Sequence, residues 1–181
     1  MMSSMKWVGS LAAIVLLAGV TAADDQIYSG KIKSVDAVKK SFVLTNADGK
    51  DSTFKFGDNM IVNRDGKESA SELKADEPVH VCYDKGVLTW TAHYILVQAN
   101  DNKDCYLTRC TIRGYDADKK ELAYTDGAGK DLAIPMGDSK VRLNGKSSKV
   151  EEVKAGDKAL AIMEKVGEKH VLKELMIERT K

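Results

Sequence analysis

The sequence predicts a mainly β protein: two small β-barrels in tandem, arising from an internal duplication and preceded by a signal peptide. Three observations carry this expectation. An apolar N-terminal run ends in small residues. The rest of the chain matches itself at a shift of 80 residues. Each matching half alternates large apolar and polar side chains between turns rich in Gly, Asn and Asp.

The first element is an address. Residues 1–23 read MMSSMKWVGSLAAIVLLAGVTAA: Lys6, then an apolar run from Trp7 to Val20, then small residues before Asp24-Asp25. This is the order of a secretory signal peptide. The run of roughly 14 residues is shorter than the roughly 20 that span a bilayer as a helix. An uncleaved N-terminal anchor is the alternative. With cleavage the mature chain starts at Ala23 or Asp24, is periplasmic or secreted, and has no later membrane span. Loss of Lys6 takes the net charge from +1 to zero and leaves Trp90 as the only tryptophan.

The duplication comes next. Val35-Asp36-Ala37-Val38-Lys39-Lys40 meets Tyr115-Asp116-Ala117-Asp118-Lys119-Lys120, and Gly49-Lys50-Asp51 meets Gly129-Lys130-Asp131. Gly57-Asp58 meets Gly137-Asp138. With a one-residue slip, Asp65-Gly66-Lys67 meets Asn144-Gly145-Lys146. Repeat one is expected over 27–99, a polar linker over 100–105 and repeat two over 106–179.

Within each repeat, Phe42 with Leu44 and Phe54 with Phe56 share strand faces. Leu122 with Tyr124 and Ile134 with Met136 are their counterparts. Asp48-Gly49, Asp65-Gly66 and Asn144-Gly145 mark hairpins. Only Ser69–Leu73 and Ser148–Val153 read as helical, for about a turn. The longest strands are expected at Pro78–Tyr83 with Val87–Val97, and at Lys158–Met163 with His170–Glu178. As an open sheet, so short a unit would expose both edges, and closing it removes them. The reading is therefore two OB-like or SH3-like barrels. The alternative is one larger sheet or barrel shared by both halves.

The module order resembles small exported bacterial OB-like β-barrel modules, among them the CusF family of periplasmic copper chaperones. The features that carry this are Ser34-Val35-Asp36, a Lys-Lys turn, a Gly-Lys hairpin, the Leu73-Lys74-Ala75-Asp76 turn and a terminal hairpin. The resemblance implies the fold. That family holds copper with a His, two Met and a stacking Trp. The corresponding strand here carries Phe54 and Phe56, and no Met-x-Met occurs, so the copper site is not carried over.

Candidate chemistry is sparse. His80 and Cys82 share a strand face. A three-residue loop ending at Gly86 would set Cys82 opposite Leu88 and His80 opposite Trp90, whereas a two-residue loop would turn His80 and Cys82 outward. Imidazole and thiolate suit copper or zinc, and Trp90 would lie against a bound cation. Two ligands are too few, and His93 falls on the other face. The bland reading is a half-buried His and an inert core Cys.

Three cysteines are an odd count for an exported chain. Cys105 and Cys110 would stand roughly 16 Å apart on a straight strand, beyond the roughly 7 Å that a disulfide spans. A bend at the linker would bring them together, a bridge from Cys82 to either would staple the repeats, and all three thiols reduced is the remaining option. His170, among Glu168, Lys169 and Lys173, reads as a solvated face. No G-x-S-x-G, H-E-x-x-H, phosphate-binding loop or paired C-x-x-C occurs. Acids intersperse the lysines, which argues against a nucleic-acid partner.

The function expected is thus an exported, non-enzymatic binding or envelope-associated structural protein without cofactors. Its partner would be an unknown protein, envelope component or small molecule. The alternative is a periplasmic copper- or zinc-binding protein using His80 and Cys82, with Trp90 adjacent.

Overall fold

The structure is a computed structural model that describes residues 26–69 and 73–179. The signal-peptide reading of 1–23 lies outside them, as does most of the helical turn expected at 69–73.

The first half is built of β1 (Gln26–Asp36), β2 (Ser41–Thr45), β3 (Asp51–Arg64), the short β4 (Lys67–Ser69), β5 (Pro78–Lys85) and β6 (Trp90–Val97). Strand β1 pairs with β2, β2 with β3, β3 with β6, β6 with β5, and β5 returns to β1. These ladders close a five-stranded barrel. Only the β3–β6 pair is parallel, which gives the order of an OB-like barrel. The alternation of the sequence points Ile32, Phe42, Leu44, Phe54, Val62, Val79, Val81 and Ile95 inward, each at most 1% exposed. A register shift between Ile32 and Ser34 bends β1 around that core.

The second half contains β7 (Cys105–Asp116), β8 (Glu121–Asp126), β9 (Asp131–Pro135), β10 (Lys140–Leu143), β11 (Lys146–Ser148), β12 (Lys158–Val166) and β13 (Lys169–Ile177). Their order is β11-β10-β13-β12-β7-β8-β9. The expectation of two closed barrels is met in the first half only, because β9 and β13 share no ladder. The cause is local. Where β3 runs through, the second half reads Pro135-Met136-Gly137-Asp138-Ser139. Pro135 has no N–H to give, and Gly137 turns left-handed at φ +48°. In place of a ladder, the Ser139 hydroxyl donates to the Leu172 carbonyl at 2.6 Å.

Backbone details recur at the 80-residue spacing. Ile32 N–H donates to the Glu77 carbonyl and Ile112 N–H to that of Asp157. Phe56 N–H donates to Lys40 and Met136 N–H to Lys120. Lys40 and Lys120 both adopt positive φ, +48° and +53°. The longest strands are not the terminal hairpins expected but β3, β7 and β1, with 14, 12 and 11 residues.

Between the halves lies a third apolar cluster. Cys82, Tyr94 and Leu96 of the first half pack with Cys105, Leu107, Leu160 and Ile162 of the second. Arg142 of β10 adds a polar strip, 3.0 Å from Glu68 of β4 and 2.5 Å from Glu174 of β13. The expected linker is part of this packing. Its Asn102 is 5% exposed and donates to Asn63, whose own amide donates to the Tyr94 hydroxyl.

Candidate binding end of the first barrel

His80, Cys82 and Trp90 do not assemble. The β5–β6 hairpin has a four-residue loop, Gly86–Thr89, in place of the expected three. Trp90 therefore pairs with Lys85, not His80. A bulge leaves His93 unpaired between Tyr83↔Ala92 and Cys82↔Tyr94. One extra residue reverses which face the following side chains take. Trp90 thus joins the barrel core, while His80 and Cys82 face outward, Cys82 into the seam. His93 bonds Asp84 at 2.7 Å. No group of three or more His, Cys, Asp or Glu side chains able to hold a metal ion occurs among the described residues.

The outward pair is chemically quiet. His80 Nδ1 lies 2.7 Å from the Ser29 hydroxyl oxygen. Burial holds its imidazole pKa down at about 4. Burial pushes the Cys82 thiol up to about 12, and that of Cys110 to about 11. All three thiols are free. The local Cys105–Cys110 bridge is excluded by the continuous strand β7. These residues sit five apart on it, so they point to opposite faces, Cys105 into the seam and Cys110 into the second core. Protonated, buried thiols react slowly. Iodoacetamide should therefore label all three only in denaturant, a result readable by intact mass; fast labelling of the native protein would contradict this placement.

The feature that stands out lies where β5 turns into β6. Trp90 stacks on Tyr83 at 5.0 Å between ring centroids, and Tyr28 and Phe54 meet it edge-on at 5.9 and 5.5 Å. Lys85 Nζ stands 5.3 Å from the indole centroid. Above this floor the loop is fixed by the Gly86 N–H donating to the Thr89 carbonyl at 2.9 Å. Only Gly fits at 86, since a Cβ there would meet that same Thr89 oxygen at 2.6 Å. Val87 and Leu88 at the tip are 102% and 93% exposed.

The corresponding turn of the second half differs. Val166 pairs with Lys169 around Gly167-Glu168, so Gly and Glu stand where the first half has Val87 and Leu88. Beneath it His170, opposite Lys165, is exposed as expected, and it bonds the Tyr106 hydroxyl at 2.8 Å. Elsewhere in the second half an open groove of about 310 Å³ runs along Arg109, Cys110, Thr111, Thr125, Asp126 and Lys158.

The fold places the chain among mainly β proteins with an OB-like barrel. No family model and no curated protein matches it. Among solved structures it is similar to a copper(II) form of a tryptophan-to-alanine variant of CusF from Escherichia coli. The identity is 11% and the TM-score 0.32, with 45% of this chain and 100% of that chain covered.

Proposed function

We propose that this is an exported, non-enzymatic binding protein built from a duplicated β-barrel module, in which the first module presents the binding end and the second supports it. The observation that carries this reading is the hairpin tip. A backbone hydrogen bond holds two adjacent large apolar side chains in solvent, on a barrel whose other large apolar residues, the single Val38 at the β1–β2 turn apart, are more than half covered. Water-exposed apolar surface of this kind marks an interaction site. Duplication is supported by the backbone hydrogen bonds and bulges that recur 80 residues apart. Export is supported by the order of charges, apolar run and small residues in 1–23.

The test places a photo-cross-linking amino acid at position 88 or at position 168 of the full chain in its own cells. Intact mass should show loss of residues 1–22 or 1–23. Cross-linked adducts should form from position 88 and not from 168. A full-length cytoplasmic protein, or equal adducts from both tips, would overturn the proposal.

A further inference from the structure

We infer that the occupant of the Val87–Leu88 tip is a lipid bilayer, with the hairpin inserting at the interface between headgroups and acyl chains; this deepens the binding reading above and rests on it. The side chains are layered as an interface requires. Val87 and Leu88 form an apolar point, 102% and 93% exposed. One residue back on each strand sits polar Gly86 or Thr89 backbone, paired to itself. Behind that comes exposed Lys85, directly opposite Trp90, whose ring is packed against the barrel core. An apolar tip backed by an exposed ammonium matches the order of acyl chain and headgroup phosphate met on leaving a bilayer core.

The second observation is where the chain comes in. Strand β1 begins at Gln26, which pairs with Tyr83 and accepts a hydrogen bond from its hydroxyl at 3.0 Å. Strand β1 therefore starts at the end of the barrel that carries the tip. The mature chain thus begins beside the surface that the tip would enter. A third observation is the contrast between halves: the equivalent turn carries Gly167 and Glu168, which no bilayer favours. The convex shape also matters. A two-residue point offers little area to a flat protein surface, whereas an interface admits it by parting the headgroups.

The experiment uses the mature chain from Asp24 and sucrose-loaded vesicles of phosphatidylcholine, alone or with phosphatidylglycerol. The wild-type protein should pellet with both, weakly and reversibly, as expected for a single small insertion. Val87→Asp/Leu88→Asp should lower the bound fraction by about tenfold. Its thermal midpoint should not move, because the tip packs on nothing. Lys85→Gln should weaken binding only to the vesicles containing phosphatidylglycerol. The inference is overturned if the wild type pellets with neither vesicle, or if the Asp/Asp variant pellets equally. It is also overturned if the adducts from position 88 in cells are protein and not lipid, an outcome that leaves the broader binding reading standing.

Discussion

Arg142→Ala is expected to destabilise the protein by about 3 kcal/mol. Arg142 is in contact with two carboxylates from opposite halves, Glu68 and Glu174. Glu174 is 5% exposed, and its Oε1 lies 2.5 Å from Arg142 Nε. Truncating the guanidinium therefore leaves a buried carboxylate without the cation that offsets its lost hydration. The lower end of the usual range applies because the Arg142 side chain keeps 32% exposure.

Urea unfolding at pH 7 reads the loss. The triple change Glu68→Gln, Arg142→Met and Glu174→Leu should recover most of it, since no charge is then stranded. Burial, with Glu174's charge adding to it, holds the Glu68 carboxyl above its ordinary range against the pull of Arg142. A carboxyl raised in the folded state favours folding in its protonated form, a contribution lost as pH rises through the folded pKa. Acidification should accordingly return part of what Arg142→Ala removes. A loss below about 0.5 kcal/mol, within the range of an ordinary surface change, would show that the ion strip does not hold the seam.

The second large effect is acid sensitivity at His80. Its pKa falls from 6.5 to about 4 on folding because burial disfavours the imidazolium. Between those values the unfolded chain binds the proton and the folded chain does not. Stability should therefore drop as pH falls through that window, by up to about 3 kcal/mol. His80→Leu should remove this part of the slope, and the second half supplies the precedent, with Leu160 packed in the seam at the equivalent position. Ser29, exposed on β1, keeps water as its partner. Denaturation midpoints from pH 7 to 4 for both proteins give the comparison. Parallel curves would mean that His80 titrates normally, and the outward face of β5 would then be open to water. The Arg142→Ala recovery is best read in the His80→Leu background, where this opposing slope is gone.

The strands and tight turns were legible because period-2 alternation and Gly at positive φ are local signals. Phe42, Leu44 and Phe54 needed only their own spacing to be placed inside. The candidate site was not legible in the same way. Whether Trp90 shares a face with His80 depends on loop length and on the bulge at His93, and one residue changes the answer. The seam did leave a trace in the sequence. Val79–Tyr83 and Tyr94–Val97 are largely apolar at both parities, the pattern of strands covered on two faces. Read as core alone, these runs assigned too much to two separate interiors. Closure of the second barrel failed at Pro135, whose missing N–H lies at a place that alternation alone treats as continuous strand.

Enclosure of Trp90 between Tyr83 and Lys85 gives the molecule an optical consequence. It is the only indole among the described residues, and it sits wholly within the first half. Its emission follows the melting of that half, while the far-ultraviolet β signal follows both. Because Cys82, Leu96, Leu107 and Ile162 weld the halves together, the two traces superimpose for as long as the seam survives. The separation between them, opened one seam substitution at a time, measures how strongly each half leans on the other.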